Sequence, residues 1–327
     1  MAIRKTETRL PANIQATDLG ESATTSDNKA VLISFISAPL VVGRENTYVV
    51  FVTDTSLASN VVSMEWAVSE NGATAISQTT DIPEWNYTPL ATGSLTLTLK
   101  LLGAGNAELA SISLTQQVMD LNAELESLIV EARNEAGPGI GNIDVARELV
   151  NDHNPYYQSV STEVPESGDA FKQFVFSITS DGALVRNPAE RKRHVQALAA
   201  ALNNGEGDFA SLAAQGVGVC NIRMALLAMI LPSGLPWTEL PERGAEKAHA
   251  DGELRQALAA LDESKKIDAF NIVRFPKTNI RFCGKIVEKL RDRYFNGTNF
   301  SDVMTGMSGT RAHWILKHYN EGPIVHT

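Results

Sequence analysis

The stretch GSLTLTLKLLGAGNAELASISLTQQV, residues 93–118, is two alternating runs joined by a Gly-rich break. Leu95, Leu97, Leu99 and Leu101 recur with period two, so they share one face of a strand, and Gly103–Asn106 supplies the turn of a hairpin. A hairpin with one leucine face cannot cover that face by itself. It needs a second layer, and the preceding sequence offers one. AVLISFI (30–36), NTYVVFVTD (46–54) and VVSMEWAVS (61–69) are short apolar-alternating runs, punctuated by Pro39, Gly43 and Asn71-Gly72. Short strands in series without a helix signal among them predict a β-sandwich over residues 28–118. Residues 1–27, rich in Thr, Ser, Ala and Asp, are expected to form an extended N-terminal arm.

The segment WNYTPLATGSLTLTLKLLGAGNAELASISLTQQV resembles the second half of a bacterial Ig-like or PKD-like module. The resemblance rests on Tyr87-Thr88-Pro89, Gly93, the alternating strand and the Gly-rich turn into a last strand. The WDFGDG signature of PKD modules is replaced here by Trp66-Ala67-Val68-Ser69-Glu70-Asn71-Gly72, and no cysteine pair brackets Trp66. The resemblance implies an Ig-like β-sandwich used for adhesion, spacing or decoration rather than catalysis.

Beyond Gln117 the period changes to that of a helix. VMDLNAELESLIVEARNEAGPG is read as a connecting helix with Leu121, Leu125, Leu128 and Ile129 on one face, stopped by Gly137-Pro138. NPAERKRHVQALAAALNNG carries Asn187 as N-cap, Pro188 at the first helical position and a stripe of Val195, Leu198 and Leu202. FASLAAQG predicts a short helix, CNIRMALLAMIL (220–231) a central apolar one, and TNIRFCGKIVEKLRDRYFNG a long one with Phe282, Ile286, Leu290 and Tyr294 on a ridge. AFNIVRF is read as one short strand, and GTRAHWILKHYNEG as the last helix. The expected fold class is therefore a multidomain α and β chain, with a mainly helical domain over 119–327 behind the Ig-like sandwich.

Charge is unevenly distributed. Residues 1–120 carry 6 Lys/Arg against 12 Asp/Glu, a net of −6, whereas residues 265–327 carry 11 against 5, a net of +6. Such asymmetry suits head-to-tail self-association, or nucleic acid at the basic end. Two cysteines in 327 residues make neither a disulfide framework nor a structural zinc site. The longest apolar run, MALLAMIL (224–231), is far short of the roughly 20 residues a membrane helix needs, and the first 30 residues show no apolar signal core. Synthesis in the cytoplasm without a signal peptide is expected, with no membrane partner.

Three constellations bear on chemistry. The six histidines have no metal-binding spacing, and GPGIGN (137–142) lacks the preceding strand and following Lys-Ser/Thr of a phosphate loop, so neither metal nor cofactor is expected. Cys220 stands at the predicted start of an apolar helix, where the helix dipole favours thiolate. Cys220-Asn221-Ile222-Arg223-Met224 resembles the nucleophile helix of type VI secretion amidase effectors. That resemblance implies a peptidoglycan amidase, with His313 as base and Asn320 or Glu321 orienting it. The plainer reading of Cys220 is a packed structural thiol. Finally, Arg281, Lys285, Lys289 and Arg293 recur every four residues, with Phe270, Phe275, Phe282, Tyr294, Phe295 and Phe300 around them. Phosphate backbones meet rows of cations, and bases stack on aromatics. Glu288 and Asp292 partly neutralise the row.

An Ig-like module without an export signal is at home in virions, phage tails and phage-like injection particles. The leading expectation is a structural or interaction protein of such a particle, partnered by itself and other particle proteins and associated with the virion or particle. The alternatives are the Cys220–His313 amidase and a nucleic-acid-packaging protein acting through residues 281–293.

Overall fold

The computed structural model describes residues 2–120 apart from residue 38, residues 188–224 and 255–295 apart from residue 257, and the isolated positions 227, 298–299, 302–303 and 315. The chain divides into two compact units, residues 1–10 with 14–158, and residues 11–13 with 159–327. β-Sheet dominates the described part of the first and helix that of the second.

The first unit holds α1 (Ala16–Leu19), β1 (Glu21–Thr24), β2 (Ala30–Ser34), β3 (Leu40–Val41), β4 (Asn46–Val52), α2 (Thr55–Asn60), β5 (Ser63–Glu70), β6 (Ala73–Thr80), β7 (Glu84–Tyr87), β8 (Gly93–Leu102) and β9 (Glu108–Met119). They form a four-stranded sheet in the order β1-β2-β4-β7 and a five-stranded sheet in the order β3-β9-β8-β5-β6. All ladders are antiparallel except β3 with β9, which pairs Leu40 with Val118 and Val41 with Met119 in parallel. β2 and β3 lie in different sheets, so residues 35–39 carry the chain from one layer to the other.

Both sheets contribute to a single apolar core. Leu95, Leu97, Leu99 and Leu101 are fully buried there, facing Leu32, Tyr48, Val50 and Val52 from the other layer. Trp66 on β5 is wholly buried and its indole N–H donates to Thr80 Oγ1 at 2.8 Å. Its ring lies 6.0 Å from that of Trp85, which stacks in turn on Tyr87 at 5.6 Å. The indoles contribute large buried area while their N–H groups remain partnered.

Residues 1–27 are not an extended arm. Ala2 and Ile3 are buried in the common core, Arg4 makes a two-bond ion pair with the buried carboxylate of Glu7 (2.9 and 3.0 Å) and reaches Glu84 at 3.5 Å, and Glu21–Thr24 is a strand of the four-stranded sheet. The physical reason lies in β2 and β4. Val31, Ile33, Val49 and Phe51 point away from the shared core yet are fully or almost fully buried. The Lys5–Glu7 turn packs on β4, and α1 packs on β1 and β2. Apolar residues on both faces of a strand require cover on both sides.

The second unit begins, in its described part, with α3 (Pro188–Asn204) and α4 (Phe209–Ala213), and continues with a small hairpin of β10 (Gly216–Val217) and β11 (Ile222–Arg223). α5 (Glu263–Arg274) and α6 (Pro276–Phe295) follow. α3 starts at Pro188, as expected of a residue with no amide to leave unpaired, and ends before Gly205 in the left-handed region (φ 69°). The strand expected at AFNIVRF is instead the end of α5. Asp262 caps that helix by accepting from the Lys265 N–H at 2.8 Å, and Ile267, Phe270 and Val273 then recur at helical spacing into the core. The connecting helix over 118–139, the N-cap Asn187 and the last helix at GTRAHWILKHYNEG fall outside the described residues, in whole or nearly so.

Candidate functional site

Cys220 is not at the start of a helix. Residues 218–221 are the turn of the β10–β11 hairpin, and Ile222–Arg223 pairs back on Gly216–Val217. Gly218 (φ 75°) and Asn221 (φ 50°) both take the left-handed conformation, which a turn tolerates at Gly and Asn and a helix start does not require. A side chain at Gly218 would collide with the Asn279 amide and the Val273 carbonyl.

The turn is held from α6. Asn279 Oδ1 accepts the Cys220 backbone N–H at 2.8 Å, and its Nδ2 donates to Val217 O at 3.0 Å and to Val273 O at 2.8 Å. One buried amide thus joins the hairpin, the end of α5 and the start of α6. Thr278 Oγ1 closes the same junction by donating to Ile272 O at 2.6 Å. Cys220 itself is 0% exposed, as is Cys283 one turn along from Asn279, and neither is in a disulfide. Reactive cysteines are accessible and sit in electropositive surroundings. The surroundings of Cys220 are those of a packed thiol. His313, Asn320 and Glu321, the partners implied by the amidase resemblance, lie outside the described residues.

The basic row maps to α6. Lys285 and Lys289 are exposed and Arg281 is half-buried, while the side chain of Arg293 is outside the described residues. Lys285 Nζ stands 5.1 Å from the centroid of the Phe282 ring, and Arg291 is bound to Asp292 at 2.7 Å. Three of the six aromatics point into the core rather than offering a stacking surface. Phe270, Phe275 and Phe282 are core residues. Phe270 and Phe275 flank the buried Arg274 guanidinium at 4.9 and 5.1 Å, a cation–π arrangement that orders the α5–α6 junction. Tyr294 and Phe300 have no described side chain.

A second polar centre, unanticipated from sequence, lies in the first unit. Tyr48 donates to Gln116 Oε1 at 3.2 Å, and Gln116 Nε2 donates to Glu21 Oε2 at 2.8 Å and to Ile36 O at 2.9 Å. Burial pushes the Tyr48 phenol well above its usual range and raises the Glu21 carboxyl despite the Gln116 bond. These bonds tie β1, β4 and β9 together. Among the described residues no group of three His, Cys, Asp or Glu is placed to hold a metal, and no helix is long and apolar enough to cross a membrane.

What the described residues define is a two-unit chain, β-rich then helical, with Cys220 and Cys283 buried in its packing. Comparison with protein families and with curated proteins finds no match. Among solved structures the chain is similar to one titled pT26-6p, at 12% identity and a TM-score of 0.18, over 80% of this chain and 50% of that one. The chain thus spans half the length of pT26-6p, and at that score no shared fold is demonstrated.

Proposed function

We propose that this protein is a self-associating structural component of a virus-like, phage or phage-like particle, built on an Ig-like module. The Ig-like reading is supported by the strand order. The orders β2-β4-β7 and β9-β8-β5-β6 match the A-B-E and G-F-C-C′ orders of such a module, and Trp66 then falls on its C strand. β2 and β3 then act as a first strand that changes sheets. Such modules serve many functions, so the role must come from the surface.

The observation that carries the role is the opposition of charge. The first 120 residues are net −6 and residues 265–327 net +6, with Lys285 and Lys289 presented to solvent on α6. Copies docking basic end to acidic end make a heterologous contact, which propagates into rings or filaments. Charge steers such an encounter, and apolar contact retains it.

The test is sedimentation of the full chain at two salt concentrations, with and without nuclease. The Debye length contracts from about 10 Å at 0.1 M salt to about 3 Å at 1 M. Association is expected to weaken with salt, to ignore nuclease, and to fall further in Arg281→Glu/Lys285→Glu/Lys289→Glu than in any single change. A strictly monomeric chain at high concentration in low salt overturns the reading. Loss of polynucleotide retention in the triple variant, with assembly unaffected, would replace it by nucleic-acid packaging.

A further inference from the structure

Each sheet of the first unit ends in two edges, and native proteins blunt such edges with shortness, charge, proline or bulges. β1 has four residues and contains Glu21, β7 has four and begins with Glu84, and β3 has two. β6 differs. It runs for eight residues, ATAISQTT, with no charge and no proline. It is the last strand of the five-stranded sheet, hydrogen-bonded to β5 on one side and to no strand of the described residues on the other. Nearly every described side chain along it is exposed, Ile76 at 42%. It carries one bulge. Val68 pairs with Ile76 and Ser69 with Thr74, so residue 75 is the extra one, and Ile76–Thr80 remains a regular run.

We propose that β6 is a pairing edge for the β6 of a second copy, antiparallel about a two-fold axis, joining two five-stranded sheets into one. The occupant is argued from complementarity. An axis through Gln78 places Ser77 opposite Thr79 and Ile76 opposite Thr80, all regular and uncharged. The strand itself, Ala73–Thr80, contains no Asp or Glu, so no acid meets an acid across the pair although the region is net acidic. Like charges directly opposite each other destabilise a ladder, and this edge avoids them against itself. Ser77 and Thr79 pair with Ala67 and Glu65 on β5, on the face turned away from the Trp66 core, so they are free to change without disturbing it. The contact is isologous and closes on itself. It is a different surface from the charged ends, and stands or falls separately.

The experiment is register-specific cross-linking of the full chain at 1 M salt, where charge docking is screened. Ser77→Cys and Thr79→Cys variants are mixed in equal amounts and oxidised with copper–phenanthroline, with Leu109→Cys as an exposed control. Opposed residues in an antiparallel pair stand about 4.5–5.5 Å apart at Cα, inside the span a disulfide accepts. The native cysteines are buried and silent. A disulfide-linked dimer is expected from the mixture and not from the control. Ser77→Lys/Thr79→Lys is expected to weaken dimerisation at least tenfold by sedimentation while leaving the fold's thermal transition in place. The proposal is overturned if the mixture cross-links no better than Leu109→Cys, or if the lysine variant dimerises like its parent. Cross-linking that persists while assembly is indifferent to salt would remove the charge-docking reading and keep this one.

Discussion

The molecule contains two hairpins built on opposite principles. β8–β9 spans ten residues on one arm and twelve on the other, and its leucines and backbone ladder specify it locally. β10–β11 has two residues per arm and almost nothing of its own. Its geometry is imposed by Asn279, more than fifty residues away in sequence, and by Gly218, whose missing side chain lets Asn279 approach. The first is a pattern; the second is a contact. A pattern survives the loss of one side chain, whereas a contact made by a single buried amide does not.

The sharpest test of that difference is Asn279→Ala. It leaves the Cys220 N–H and the Val217 and Val273 carbonyls short of their buried partner, and each stranded group costs about 1–3 kcal/mol. A loss on the order of 4 kcal/mol is expected in denaturant unfolding of the helical unit, and Cys220 should become labelled by a thiol reagent, located by peptide mapping. Thermal and thiol profiles like those of the parent would mean the hairpin holds itself.

A smaller effect is expected from Tyr87→Phe. The Tyr87 phenol donates to Glu70 Oε1 at 2.8 Å, and the change removes a bond worth about 1 kcal/mol. Burial first, and then the Glu70 carboxylate, push the phenol up to about 12. The unfolded chain releases that proton nearer pH 10, so it binds fewer protons than the folded chain in between, and stability falls as pH rises through about 10 to 12. Tyr87→Phe should flatten part of that alkaline decline, followed by circular dichroism of the β-rich unit. An unchanged alkaline midpoint would count against the assignment.

The smallest effect should come from Thr98→Ala. Thr98 and Ser113 share an exposed hydroxyl bond of 3.1 Å across β8 and β9. Its loss is expected to cost under about 0.5 kcal/mol, since cross-strand pairs contribute only a few tenths. If it costs as much as Asn279→Ala, the distinction between the hairpins fails.

The same distinction explains what could be read from the sequence. Strands β5, β8 and β9 announce themselves by alternation and turn residues, β2 and β4 by short apolar runs, and α3 by Pro188 and its Asn-Asn-Gly stop. β6 and β7 passed unread because ATAISQTT and EWNY have too few apolar residues to show a period. The cover supplied by residues 1–27 had a signal that alternation obscured. AVLIS and YVVFV are apolar on both faces, which announces a strand buried on both sides. Cys220 reads as a helix start because the apolar run MALLAMIL follows it, whereas Gly218, Asn221 and the distant Asn279 make GVCN a turn. The phenylalanines near α6 looked like a surface row in one dimension, yet Phe270, Phe275 and Phe282 point inward.

The parallel pairing of β3 with the end of β9 has a mechanical consequence. A pull applied at Met119 in the direction of the strand acts along the axis of β9. The bonds of Leu40 and Val41 to Val118 and Met119, the Val42 N–H to Met119 O bond at 3.0 Å, and the ladder to β8 are then strained together, in shear. Bonds that must break at once resist a tension that would peel them apart one by one. The sheet is thus tougher under a load along β9 than under one that would peel β9 from its end.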